Sequence, residues 1–177
     1  MRRLILLSIL PLFLLLNGCS DGDWRTASRQ PAGIAPDPAS AREAVVQIYS
    51  ARAWGWRGWF AVHTWIATKG TDEPYYTVYE VIGWRGNRGL PVLRIEVDVP
   101  DRYWYGERPQ LLADYRGHQA DQLIDQINAV ANRYPWPDEY RVFPGPNSNT
   151  FTGWVISQIP DLDVHLPFTA IGSGYSR

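Results

Sequence analysis

The chain has 177 residues, 45% of them apolar, and carries 9 Trp, 10 Tyr and 5 Phe. That length holds one domain beyond a leader and leaves little room for two, and the composition buries a real core, which excludes a largely disordered protein. Lys and Arg number 17 against 18 Asp and Glu, a balance that does not recommend a nucleic-acid phosphate backbone as partner, so no nucleic acid is expected.

Met1-Arg2-Arg3 is a positive start, and Leu4 to Leu16 is an apolar run broken only by Ser8 and Pro11. The run suits the hydrophobic stretch of a signal peptide and is too short to cross a bilayer. Leu16-Asn17-Gly18-Cys19 follows, and Cys19 is the only cysteine. No internal disulfide, thiolate metal site or cysteine nucleophile is therefore available in the rest of the chain. The ending resembles a bacterial lipobox, whose cysteine is acylated and becomes the mature N-terminus. The resemblance implies a signal peptide over 1–18 and acyl chains such as palmitate on Cys19. Because Ser20 and not aspartate comes next, it also implies sorting to the inner leaflet of the outer membrane, facing the periplasm. Residues 20–38 are rich in Asp, Ser, Arg, Gly and Pro without apolar periodicity. The span 19–38 is expected to be a flexible tether, with a single domain over 39–177.

Ala44 to Tyr49 reads as a strand, with a short helix over Ala39 to Tyr49 as the weaker alternative. Trp54-Gly55-Trp56-Arg57-Gly58-Trp59 is a turn, and Phe60 to Ala67 is strand-like. Lys69 to Pro74 is a loop, and Tyr75 to Ile82 should return antiparallel to the preceding strand. A hairpin centred between Thr71 and Asp72 sets position 63 opposite position 80, so His63 and Glu80 share a face; a slip of one residue would part them. Val92 to Val97 is a further strand. From Gly117 to Tyr134 the apolar residues Ala120, Leu123, Ile124, Ile127, Val130, Ala131 and Tyr134 form one helical stripe. After Pro144-Gly145-Pro146, residues 147–159 read as a helix capped by Asn or Ser and stopped by Pro160. Strands followed by helices predict an α+β fold, an antiparallel sheet packed with helices.

Of the three histidines, His118 and His165 read as solvated. His63 lies mid-strand between apolar neighbours, where it needs hydrogen-bond partners or a cleft. Asn147-Ser148-Asn149 puts a hydroxyl at the start of an apolar helix, where free N–H groups and the positive dipole end suit an oxyanion. The same residues are preferred N-caps, so capping alone is the competing role. Trp54, Trp56, Trp59, Trp65, Trp84 and Trp104 either line a groove for a glycan or acyl chain or fill the core. No two histidines stand at ligand spacing and Asp161 with Asp163 reads as a polar turn, so no metal and no cofactor is expected.

Phe60 to Ile66, Tyr79 to Trp84 and Asn147 to Phe151 together resemble the circularly permuted papain-like proteins, among them the NlpC-type, lecithin-retinol-acyltransferase-like and PPPDE peptidase-like groups. The resemblance implies a permuted papain-like fold with His63 as base and Glu80 at the next-strand polar position. Ser148 then stands where those groups carry cysteine, and Asn147, Asn149, Trp65 and Trp84 are candidate binding residues. Tyr140 to Phe151, with Ala61-Val62-His63 and Leu166 to Gly172, also resembles an uncharacterised bacterial family numbered 3750 among domains of unknown function. A serine cannot be stored as its anion as a thiol can; it needs concerted proton removal by an oriented base. Two functions follow as expectations. One is a serine-variant hydrolase or acyl transferase on an envelope amide or ester, from peptidoglycan or lipid. The other is a catalytically silent module that binds envelope glycan, peptide or lipid.

Overall fold

A computed structural model of the chain describes residues 23–176, so the expected signal peptide over 1–18 and Cys19 lie outside the described residues. Five strands, Val45–Arg52 (β1), Val62–Lys69 (β2), Thr77–Val81 (β3), Leu93–Val97 (β4) and Gln110–Arg116 (β5), form one sheet in the order β4-β3-β2-β1-β5. Every neighbouring pair is antiparallel. With Gly83–Gly86 (α1), Gly117–Ala131 (α2) and Ser148–Gln158 (α3), the fold is α+β.

Alternation along the strands makes two apolar faces. Val46, Ile48, Ile66, Tyr79 and Val81 pack under α2 and α3 through Leu123, Ile127, Val130, Phe151 and Val155. Val45, Tyr49, Trp65, Ala67, Val78 and Ile82 form the other face with Trp104. β1 and β2 are buried on both sides over nearly their whole length, so they carry apolar residues on both faces together with buried polar ones such as Gln47, Ser50, Thr64 and Thr68. Each large side chain so buried contributes about 1.5–3 kcal/mol.

The β2–β3 hairpin pairs Ile66 with Tyr79, Ala67 with Val78 and Thr68 with Thr77, a register two residues away from the expected one. The loop explains the shift. Asp72 takes a left-handed φ of 60°, its N–H donates to the Arg42 carbonyl at 2.8 Å, and the Gly70 N–H donates to Glu73 Oε2 at 2.9 Å. This fixed turn delays β3 until Thr77. An even slip preserves parity, so His63 and Glu80 remain on one face. That face is the Trp65 and Trp104 side, opposite to the one α2 and α3 cover.

Two elements were not expected, β5 and α1, while the expected turn over Trp54 to Trp59 takes the form of a 3-10 helix at Gly55–Trp59. β5 is an edge strand whose pairing with β1 shifts at Ile48/Tyr49, and its adjacent Leu111 and Leu112 break the alternation that would announce a strand. The tether needs correction from Ser28 onward. The Tyr103 N–H donates to the Gln30 carbonyl at 2.9 Å, the Ala32 N–H to the Asp101 carbonyl at 3.1 Å and the Gly106 N–H to the Ser28 carbonyl at 2.9 Å. The Asp101 carboxylate also accepts the N–H groups of Ile34 and Ala35, and these two residues pack on the second face of the sheet. Backbone pairing and a buried acid thus hold this polar segment on the domain.

Candidate active site

His63 is the second residue of β2. Its ring stacks on Trp104 at 3.6 Å between centroids and 5° between planes, and its Nε2 lies 3.2 Å from Glu80 Oε2. Glu80, fully buried in β3, has a second set of partners on Oε1. Arg94 Nη1 donates to it at 2.8 Å and Arg102 Nη2 at 2.6 Å. Asp98 Oδ2 accepts from Arg94 at 2.7 Å and stands 3.8 Å from Arg102 Nη1. Arg94 Nε also donates to Glu96 Oε2 at 3.1 Å, and Glu96 meets Arg85 at 3.4 Å, so three acids stand against three guanidinium groups.

Burial alone would raise the Glu80 pKa, but Arg102, His63 and Arg94 outweigh it and hold the group at about 2. Glu80 is therefore an ionised, acceptor-only carboxylate. The His63 pKa is lowered, first by burial and also by the nearby Arg102 charge, against the opposing pull of Glu80. The imidazole is then neutral at pH 7. Because its Nε2 faces a carboxylate, that nitrogen carries the proton and donates it, which leaves the lone pair on Nδ1.

The start of α3 separates two roles that the sequence left open. Asn147 is the N-cap: its Oδ1 accepts the N–H of Asn149 at 3.0 Å and of Thr150 at 3.1 Å, and Thr150 Oγ1 accepts the Asn147 N–H at 3.1 Å, which completes a capping box. Asn147 Nδ2 also donates to the carbonyls of Val142 and Ile171. Gly172, at φ +90°, is required beside it, since a Cβ there would come within 2.5 Å of Asn147 Nδ2. Ser148, the first helical residue, is thereby relieved of capping. Its hydroxyl makes no side-chain hydrogen bond to another described residue, and its N–H lies outside the pair taken by the cap. Asn147→Ala should therefore cost about 2 kcal/mol of stability, whereas Ser148→Ala should change it by about 0.5 kcal/mol or less. Thermal unfolding of the two variants checks this order.

Asn149 joins the helix start to the sheet. Its Nδ2 donates to the carbonyls of Val62 and Ile171, each at 3.0 Å, and its Oδ1 accepts from Thr64 Oγ1 at 3.1 Å. The two β2 contacts flank His63. His63 and Ser148, each 6% exposed, consequently line one cavity of about 280 Å³ together with Trp54, Trp56, Trp84 and Trp104. No direct hydrogen bond joins Ser148 to His63 among the described residues.

Of the candidate binding residues, Asn147, Asn149 and Trp84 line this cavity. Trp65 does not: it is fully buried, stacks on Tyr49 at 5.5 Å and donates Nε1–H to the Pro100 carbonyl. Trp59 is exposed and also stands outside it. His118 and His165 are exposed. Sequence reasoning missed Arg94, Asp98 and Arg102. Arg94 pairs directly with Glu80 across β3 and β4, so the alternation of Leu93-Arg94-Ile95 carried a signal; Arg102, in a loop after Pro100, carried none.

Among the described residues no group of His, Cys, Asp and Glu is placed to hold a metal ion, and no helix is long and apolar enough to cross a membrane. No curated protein and no solved structure matches the chain. Residues 43–175 match the family described as Protein of unknown function (DUF3750). That span is well over half of the 177 residues, and the chain belongs to this family.

Proposed function

We propose that the cleft is a serine-variant acyl-transfer site on a permuted papain-like α+β fold, acting on an amide or ester of the cell envelope. The observation that carries this reading is the proton inventory of His63. A neutral ring whose Nε2–H is committed to an ionised, buried Glu80 has a basic Nδ1 left over, in the same cavity as the uncapped Ser148 hydroxyl. In the proposed reaction Ser148 Oγ attacks the substrate carbonyl while its proton passes to His63 Nδ1. The Ser148 N–H and the dipole of α3 face the developing oxyanion, and Glu80 stabilises the imidazolium. Collapse expels the amine or alcohol, which takes the proton from His63 and leaves an acyl-serine. Water or a second nucleophile then resolves that ester, giving hydrolysis or transfer.

A fluorophosphonate probe tests this. The parent protein should be labelled once, and Ser148→Ala or His63→Ala should remove the label. The absence of a Ser148–His63 hydrogen bond favours a second reading, a silent binding cleft. In that case the parent is not labelled, and ligand retention survives Ser148→Ala.

The lipobox-like Leu16-Asn17-Gly18-Cys19 supports an acyl anchor at Cys19 in the inner leaflet of the outer membrane, with the domain in the periplasm. Several acyl chains make such an anchor stable, at about 0.8 kcal/mol per buried CH₂. The intact mass of membrane-extracted protein reads it directly, and an unmodified Cys19 would remove it.

A further inference from the structure

The cavity of His63 and Ser148 has an unusual rim. Trp56, Phe60, Trp84, Tyr140, Val142 and Phe143 all line it, yet they are 39% to 76% exposed. Soluble domains rarely gather so much exposed apolar surface in one place, and aromatic residues of this kind favour the boundary between water and lipid. A second hollow of about 330 Å³ shares Trp54 and Trp84 with the first and continues to Trp24. No carboxylate lines either hollow, whereas Arg57 lines the first and Arg88 the second. The charged side chains lining these two hollows are therefore both positive, while Asp138 lines an adjoining hollow together with Arg57, Trp84, Tyr140 and Val142.

Trp24 also marks where the chain leads. The five residue steps from Cys19 to Trp24 reach at most about 18 Å when fully extended. An anchor at Cys19 therefore keeps the edge of this rim close to the lipid surface.

The geometry points to a membrane-docking face: the aromatic rim lies in the interfacial layer of a phospholipid leaflet, with the cleft opening toward the lipid and Arg57 and Arg88 beside anionic headgroups. The inference rests on the reading of Cys19 as acylated and is independent of whether Ser148 is a nucleophile. It narrows the ligand of the cleft to a lipid-borne group, since entry is from the bilayer side.

The test uses the acylated full-length protein in vesicles of phosphatidylethanolamine and phosphatidylglycerol. A nitroxide is attached at Phe143→Cys, at Trp56→Cys, or at Asp125→Cys as a control on α2, the acyl chain blocking Cys19. Phe143 and Trp56 are 76% and 64% exposed, so labelling them disturbs no core. At both rim positions, collisions with lipid-soluble oxygen should exceed those with a water-soluble nickel complex. At position 125 the order should be reversed. Rim labels as accessible to nickel as the α2 label, on protein whose mass shows acylation, would overturn the docking face alone. A mass showing no acyl chain would overturn the anchor and the inference with it.

Discussion

Replacing Glu80 by alanine should lower stability by about 3–5 kcal/mol, because it removes the acceptor that neutralises two guanidinium groups inside the protein. Arg102 is 6% exposed, and with Glu80 gone its nearest remaining acid in the cluster is Asp98, 3.8 Å away. Glu80→Gln keeps the shape but loses the charge, so it should be destabilised as well, and a weaker His63 orientation would be read together with that loss. The pH dependence makes the expectation sharper. Glu80 is held at about 2 against an ordinary value of 4.5. A depressed acid contributes stability that is present above its unfolded pKa and lost as pH falls toward its folded one. That contribution, about 3 kcal/mol, should disappear between pH 4.5 and 2. His63, also lowered from its ordinary 6.5, adds a loss of the same sign that begins below pH 6.5. Melting temperature should fall as pH drops through 6.5 and more steeply below 4.5, and Glu80→Gln should lose the steeper part. A parent protein with a flat profile from pH 7 to 3 would contradict the ionised, buried role of Glu80.

The His63–Glu80 contact was legible in the sequence because it needed only the parity of two strands. The register expected from the loop was off by two, yet the two residues still meet, since an even slip keeps the face. What an antiparallel hairpin brings together is local in sequence; what Arg102 and Asp101 do is not. Asp101 accepts N–H groups from Ile34 and Ala35, more than sixty residues earlier in the chain, and no periodicity in a polar, proline-rich segment announces such a partner. The helix start was legible as a capped terminus, but not which residue caps it. That choice depends on where helical dihedrals begin, and Thr150 at the third helical position decides for Asn147. The tryptophans divided for a similar reason. Trp65 follows strand alternation into the core, whereas Trp56 sits on a 3-10 turn whose facing no period of two predicts.

Replacing Ser148 by cysteine should turn the same geometry into a reactive thiol, and this is the largest chemical change expected from a single residue of the site. An ordinary thiol, with pKa about 8.5, is about 1% thiolate at pH 6.5. On the proposed reading, the α3 N-terminus stabilises a thiolate at this position, and His63 Nδ1 receives the proton to become an imidazolium held by Glu80. Alkylation by iodoacetamide at pH 6.5 should therefore run tens of times faster than that of an Asp125→Cys control, since the thiolate fraction can rise by up to about a hundredfold while its intrinsic nucleophilicity falls only partly. Adding His63→Ala should return the rate most of the way to the control, because the helix dipole alone remains. The serine of the parent gains no such resting anion. Its hydroxyl keeps its proton until a carbonyl is in place, which is why the proposed site uses a neutral His63 as base. A Ser148→Cys thiol that reacts at the control rate, with or without His63, would mean that Nδ1 and the hydroxyl position do not communicate, and the cleft would then be a binding site only.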